Sequence, residues 1–320
     1  MFNQPTTSTK RLPRRPLGRA FAAFAVSALA LLVIPTYASA ARVTTNLIGF
    51  WPINEGTGNT INDTIGVAAD MTIYPNSASF SWNPTEGSIQ IPNSVTSISS
   101  TAASADKLKD QILPVRAFSA EVWFKPESLS TGGKMQVIFG YGCHDTTVDG
   151  NCSGSLNRYK SNFYIAQIDD DVVAAIRSNN WSGDANGIPP DPALNVSNVL
   201  AAGVATHVVI TWSEADQKKH IEVRRSGITP RQNSNNTIGT NINNWASFPI
   251  AVSDPDNANI GQFAGRVYLT AVYNAALTTA QMQLNYDADY LPPCIDGDSD
   301  QYGNPASAKC AQLYGAGHDQ

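Results

Sequence analysis

The chain has 320 residues, a net charge of −5 at neutral pH and four cysteines. Its first 40 residues hold five of the 21 basic residues and none of the 26 acidic ones, so the remainder carries a net charge of −10. Such an acidic surface disfavours nucleic acids and anionic membranes as partners, and it is compatible with bound cations and neutral polysaccharides.

The amino-terminal residues have the pattern of a secretory signal peptide. Basic residues from Lys10 to Arg19 precede an apolar run from Ala20 to Ile34, and Ala38-Ser39-Ala40 fits a signal-peptidase site. The apolar run is shorter than the roughly 20 residues that a membrane span needs. We therefore predict a signal peptide over residues 1–40 and a secreted protein, extracellular or periplasmic, whose mature chain does not insert into a membrane. An uncleaved anchor is the alternative.

Short alternating or apolar runs follow, separated by clusters of Gly, Pro, Asn, Asp and Ser, and this pattern predicts an all-β fold. The predicted strands are Leu47–Trp51, Ser119–Lys125, Met135–Gly140, Asn162–Gln167, Asp171–Arg177, Thr206–Trp212, Lys219–Arg225 and Gly265–Tyr273. Residues 97–110 are expected to hold a helical turn. A short helix is predicted over Thr278–Tyr286, where Thr278 is a suitable N-cap.

Three polar stretches between the strands are predicted to be loops: residues 144–160, 179–203 and 229–259. Loops on a rigid sandwich commonly carry binding sites, and plain solvated connection is the alternative.

The cysteines are expected to form disulfides. Four cysteines allow three pairings, and the simplest joins neighbours in the chain, Cys143 with Cys152 and Cys294 with Cys310. Each bridge would close a polar loop with little apolar content of its own. No pair has the C-x-x-C spacing of a zinc or redox site.

Four segments resemble, in order, the motifs of bacterial laminin-G-like domains, which are concanavalin A-like jelly rolls. The segments are Leu47–Gly58, Phe118–Pro126, Thr206–Trp212 and Phe263–Thr278. The resemblance implies an antiparallel two-sheet jelly-roll sandwich over residues 41–290, with a short C-terminal helix and an Asp/Gly-rich tail over 291–320. Relatives of this fold include lectins, adhesion modules and glycosidases, so the fold does not define the function.

The six tryptophans fall into two groups. Trp51, Trp123 and Trp212 lie on strands, where large rings fill the space between two sheets. The others occupy loop-like surroundings and are the candidate ligand-binding residues: Trp82, Trp181 and Trp245. An exposed ring can stack on a sugar, and covering the end of the sandwich is the alternative role.

The acidic tail is a candidate calcium site. Asp296, Asp298 and Asp300 alternate along the chain, so their carboxylates can converge on Ca²⁺ when the loop curls. The segment resembles the calcium loops of thrombospondin type 3 repeats, which implies that Tyr302 contributes its carbonyl oxygen. A solvated acidic tail is the alternative.

No catalytic constellation is evident. Glycosidases of the jelly-roll family carry a Glu-x-Asp-x-x-Glu array on one strand, and Glu121 and Glu127 do not have that spacing. We therefore predict a secreted, non-catalytic binding or adhesion module that recognises carbohydrate or a surface protein. The alternatives are a polysaccharide-degrading enzyme of the same fold and a structural surface component without a small ligand.

Overall fold

The computed structural model describes residues 41–74, 80–84, 86–92, 97–130, 132–143, 160–178, 194–235, 241–253 and 260–289. In chain order the elements are β1 (Leu47–Trp51), β2 (Thr60–Ile61), β3 (Met71–Tyr74), β4 (Ser81–Asn83), β5 (Ser88–Ile91), β6 (Ser97–Ser99), α1 (Ala102–Val115), β7 (Ala117–Pro126), β8 (Met135–Cys143), β9 (Lys160–Ile168), β10 (Asp171–Ile176), β11 (Leu194–Val196), β12 (Thr206–Ser213), β13 (Lys218–Arg225), β14 (Arg231–Asn235), β15 (Ile250–Val252), β16 (Ile260–Gln262), β17 (Gly265–Tyr273) and α2 (Thr279–Asp289).

The strands form two sheets that pack face to face. An eight-stranded sheet has the order β14-β13-β12-β7-β17-β5-β4, with β1 also paired to β17. A nine-stranded sheet has the order β11-β10-β9-β8-β15-β6-β3-β2, with β16 paired to β8 in parallel. Both sheets are otherwise built from antiparallel pairs of the kind that joins β12 to β7 and β10 to β9. The predicted all-β sandwich with a short C-terminal helix is confirmed.

The core lies between the sheets and follows from the two-residue period of each strand. On β12, Val208, Ile210 and Trp212 are fully buried and belong to the inter-sheet cluster. Their partners on β7 are Val122, Ala120 and Phe118, in that order, so apolar side chains meet across the strand pair. The residues between them point to the outer face of the sheet, where the polar groups considered below lie.

Every strand predicted from the sequence is present, with small differences at the ends. Helix α1 is longer than the helical turn that was expected. Thr101 caps its first turn by accepting a hydrogen bond from the Ser104 N–H at 3.1 Å, and Ala105, Leu108 and Ile112 form its buried face. The described parts of two stretches predicted as loops, 179–203 and 229–259, contain the short strands β11, β14 and β15, because pairing with neighbouring strands extends these residues.

The predicted domain limits fall outside the described residues, since residues 1–40 and 290–320 are not among them. The signal peptide, the tail and secretion therefore stay predictions. Among the described helices, none is long and apolar enough to cross a membrane.

Candidate functional site

A buried ionic network lies between the eight-stranded sheet and α2. Arg42 donates two hydrogen bonds to the Glu121 carboxylate, at 2.8 and 3.1 Å. His207 Nε2 lies 2.8 Å from Glu121 Oε1, and Asn285 Nδ2 donates to Oε2 at 2.8 Å. Burial alone would raise the pKa of Glu121, but Arg42 and His207 lower it to about 2. The network ties the amino-terminal segment and α2 to the sheet, so its role is structural.

A second polar cluster lies on the outer face of the same sheet, on β5, β7 and β17. Lys125 Nζ is 3.1 Å from the Glu86 carboxylate, and Tyr268 donates its hydroxyl to Glu86 at 3.0 Å. Arg266 also forms an ion pair with Glu86 and donates to Gln90 Oε1 at 2.8 Å. Burial alone would raise the pKa of Glu86, but hydrogen bonds from Arg266 and Lys125 lower it. The Glu86 cluster therefore sets two cationic side chains, Lys125 and Arg266, against one carboxylate.

A third group, here called the rim, consists of Asn162, Arg177, Ser178, Asn244 and Trp245 at one end of the nine-stranded sheet. Arg177 follows β10, and its backbone N–H donates to the Asn162 carbonyl at 2.8 Å. The Nε of Arg177 and the Oδ1 of Asn244 are both buried, and neither has a hydrogen-bond partner in the part of the chain that the structure describes. Burial lowers the pKa of the Arg177 guanidinium, and no carboxylate in the described ranges offsets the effect.

Neighbouring hydrogen bonds hold Arg177 and Asn244 close together. Asn244 Nδ2 donates to the Ser178 carbonyl at 3.1 Å, and Trp245 Nε1 donates to the Arg177 carbonyl at 2.9 Å. Asn162 in turn binds both the N–H and the carbonyl of the residue after Trp245, at 3.0 and 2.8 Å. The rim therefore presents one unpaired donor and one unpaired acceptor on a fixed backbone.

The Glu121 network also leaves a buried atom, His207 Nδ1, without a partner among the described residues, so the rim differs from the other two polar groups in its cation and not in unpaired atoms alone. Buried polar atoms in folded proteins nearly always have partners, and an exception needs an explanation. Glu121 and Glu86 are surrounded by donors within this chain, whereas Arg177 forms no ion pair within the described ranges. The rim is accordingly the candidate functional site.

Two of the three tryptophans predicted to bind ligand, Trp82 and Trp245, are among the described residues, and each is engaged by contacts within the chain. Trp82 is half-buried against the edge of the core, and its Nε1 donates to the Gly58 carbonyl at 2.8 Å. Trp245 is 5 % exposed, and its ring lies 4.9 Å from that of Phe118. The prediction that Trp245 stacks on a ligand is therefore corrected, because its faces pack in the core while its N–H supports the rim. Trp181 lies outside the described residues.

The predicted metal site and disulfides are not tested by the structure. The metal ligands Asp296, Asp298, Asp300 and Tyr302 lie outside the described residues, as do Cys152, Cys294 and Cys310. Cys143 ends β8, and only its backbone is described. Among the residues with described positions, no group of three or more His, Cys, Asp or Glu is placed to hold a metal ion.

Sequence reasoning missed Arg177 and Asn244. Arg177 was assigned only as the last residue of a strand, and Asn244 as one of many amides in a polar loop. A signal was present, because an arginine ends an apolar run just before a predicted binding loop, over residues 179–203. Asn244 belongs to another predicted loop, over residues 229–259, and only the fold brings Arg177 and Asn244 together.

Comparison with known proteins identifies the fold but no family. No protein-family model matches the chain, and no curated protein matches it. Solved structures that resemble it include Trypanosoma rangeli sialidase in complex with sialic acid, with a TM-score of 0.50 and 14 % identity. A mutant of that sialidase with trans-sialidase activity has a TM-score of 0.50 and 13 % identity. A botulinum neurotoxin type C structure, described as interacting with two ganglioside molecules, has a TM-score of 0.50 and 11 % identity.

The extent of these matches limits what they show. They cover 81 %, 80 % and 77 % of this chain, but 35 % of each sialidase chain and 52 % of the neurotoxin chain. This chain therefore spans about a third of the sialidases' length. At such low identity the likeness shows a shared β-sandwich fold, and the laminin-G-like family stays a prediction.

One prediction is contradicted by these comparisons, namely that the chain is not an enzyme. It rested on the missing Glu-x-Asp-x-x-Glu array, yet the similar structures include sialidases, which are enzymes. The absence of one array on one strand does not exclude catalysis on this fold.

Proposed function

We propose that this chain recognises glycans, and that the rim is its binding site. The observation that carries the proposal is that Arg177 Nε and Asn244 Oδ1 both lack a hydrogen-bond partner among the described residues, on two segments that hydrogen bonds join. Sugars present closely spaced oxygens and hydroxyls, so a fixed donor next to a fixed acceptor matches their chemistry. The described likeness to a sialidase bound to sialic acid and to a ganglioside-interacting neurotoxin supports a carbohydrate partner.

As an occupant of the rim, a carbohydrate is a better match than a surface protein. Small-ligand sites use a few fixed polar groups at one place, whereas protein interfaces bury a broad patch. The unpaired atoms belong to residues held by a shared set of hydrogen bonds at one end of one sheet. A compact polar ligand is therefore the occupant we propose.

A glycan array tests the proposal. The secreted chain is expected to bind a restricted set of glycans, and Asn244→Ala is expected to weaken that binding about tenfold, the loss of roughly one hydrogen bond. Asn243→Ala is the matched control, because Asn243 is the exposed neighbouring amide and should leave binding unchanged. Absence of specific binding by the wild-type chain would overturn the proposal.

Glycoside hydrolysis is the second candidate, and the Glu86 cluster favours it. A tyrosine hydroxyl can act as a nucleophile when a neighbouring carboxylate takes its proton. Tyr268 donates to Glu86 at 3.0 Å, and Lys125 and Arg266 lie beside that carboxylate. The cluster thus brings together a hydroxyl, a carboxylate and positive charge that could stabilise an anionic substrate, and loss of the Tyr268 proton must overcome burial and the Glu86 charge, which raise the pKa of that hydroxyl.

Release of free sugar from α2,3-sialyllactose, measured by chromatography, tests this second candidate. If the Glu86 cluster is catalytic, Tyr268→Phe should abolish turnover at unchanged thermal stability, because it removes only the hydroxyl. Tyr74→Phe, which alters a half-buried tyrosine on β3, should retain turnover. Equal rates in wild type and Tyr268→Phe would exclude the cluster.

A further inference from the structure

We infer that the rim binds a sugar that carries a carboxylate, with the Arg177 guanidinium as the partner of that carboxylate and Asn244 as the acceptor of a neighbouring sugar hydroxyl. This inference rests on the proposed glycan recognition and narrows it to acidic sugars.

Arg177 differs from four other arginines of this chain because it has no carboxylate partner among the described residues. Four other arginines each pair with a glutamate: Arg42 with Glu121, Arg116 with Glu214, Arg224 with Glu222, and Arg266 with Glu86. Arg177 has no such partner among the described residues, although its Nε is buried. Arg177 as a whole is half-buried, so its guanidinium is partly desolvated without a counter-charge among the described residues, and a carboxylate in the ligand would supply that charge.

The shape of the guanidinium favours a carboxylate. It is planar and offers parallel donors that match the two oxygens of a carboxylate. The acceptor on Asn244 cannot bind a second ionised oxygen, so it requires a donor on the ligand. A sugar acid has both groups, since hydroxyls lie within a few bonds of its carboxylate.

The positive charge at the rim comes from individual side chains and not from the net charge of the protein. The chain after residue 40 has a net charge of −10, so an anionic ligand is not attracted by the protein as a whole. Fully buried Lys219 on β13 reaches across to the nine-stranded sheet, and its Nζ donates to the Ile176 carbonyl at 2.6 Å. The ammonium therefore lies close to the residue that precedes Arg177.

Calorimetry on matched pairs of ligands tests the inference. The purified secreted chain is titrated with α2,3-sialyllactose and with lactose, and with a glucuronic acid-terminated disaccharide and its glucose-terminated parent. We expect at least one acidic member to bind about 10- to 100-fold more tightly than its neutral parent, the range of a charge-assisted contact. Arg177→Gln should remove this preference, and Arg177→Lys should keep part of it.

Arg225→Gln is the matched control. Arg225 is half-buried with an Nε that is also unpaired among the described residues, but it lies at the opposite end of β13 from Lys219. The Arg225→Gln substitution should leave the preference for acidic sugars unchanged. This result would separate an effect at the rim from a general loss of positive charge.

The outcomes separate this inference from the function on which it rests. Equal affinity for the acidic sugar and its neutral parent would overturn the proposed contact between Arg177 and a carboxylate. Full retention of the acidic preference in Arg177→Gln would do the same, while binding on the array would still support glycan recognition. Preference for a sulfated analogue over the carboxylated sugar would also overturn it. Failure of the wild-type chain to bind any glycan on the array would overturn the proposed function itself.

Discussion

Replacement of Glu121 by alanine is expected to lower the free energy of unfolding by about 3–5 kcal/mol, the usual cost of removing one partner from a buried ion pair. Glu121 is fully buried and accepts hydrogen bonds from Arg42 and Asn285, with His207 also in contact. Its loss takes away the carboxylate that the Arg42 guanidinium binds against the sheet. It also removes one tie between α2 and the sandwich.

Chemical denaturation followed by tryptophan fluorescence measures this loss. Glu127→Ala is the matched control, because Glu127 is exposed and its hydrogen bond from Gln90 is at the surface. That change should stay within about 0.5 kcal/mol of the wild type. A loss of less than about 1 kcal/mol in Glu121→Ala would contradict the structural role of the network.

The same network should make stability depend on pH. The folded-state pKa of Glu121 is about 2, below the ordinary value of 4.5, so the unfolded state binds more protons between these values. The stabilisation from Glu121 is thus fully present above about pH 4.5 and is lost as the pH falls towards 2. A plot of unfolding free energy against pH should be shallower in Glu121→Ala over this interval.

Replacement of Phe163 by alanine is expected to cost about 3–5 kcal/mol of unfolding free energy, as for other large core deletions. Phe163 is fully buried on β9. Its ring lies 5.5 Å from that of Phe118, 5.7 Å from Phe139, 6.1 Å from Tyr141 and 6.2 Å from Trp245. The cavity would open in the middle of this aromatic group, where the sheets leave little freedom to collapse.

Phe163→Leu provides the control, because it keeps most of the apolar volume and should cost clearly less than the alanine variant. The alanine variant should also weaken glycan binding, because Trp245 packs on Phe163 and its N–H holds the Arg177 carbonyl. Equal stability of the two variants would show that the aromatic group is not tightly packed.

The long strands could be predicted because their pattern is local. In β12 a β-branched, apolar run is complete within eight residues, and the strand appears where the pattern places it. The short strand β15 could not be predicted, since its three residues become extended by pairing with β8 and β6. For α1 the sequence held a usable signal in the spacing of Ala105, Leu108 and Ile112, which was taken only as a turn.

The candidate site was less predictable than the fold. Trp245 lies in an Asn-rich stretch that favours a loop, and only the tertiary packing shows that its ring fills the core. The importance of Arg177 depends on a missing partner, and no sequence pattern records which acids lie near a given arginine. The predicted binding loops over 179–203 and 229–259 nevertheless begin near or contain the residues of the rim.

The contact between Arg42 and Glu121 has a consequence for how the protein is produced. Arg42 is the second residue after the predicted cleavage site, so trimming only two residues beyond Ala40 would delete it. Glu121 would then keep its contacts with His207 and Asn285 and lose its bidentate partner. A recombinant form that starts a few residues late would lack an interaction of the native fold, and a purification tag is better placed away from this terminus.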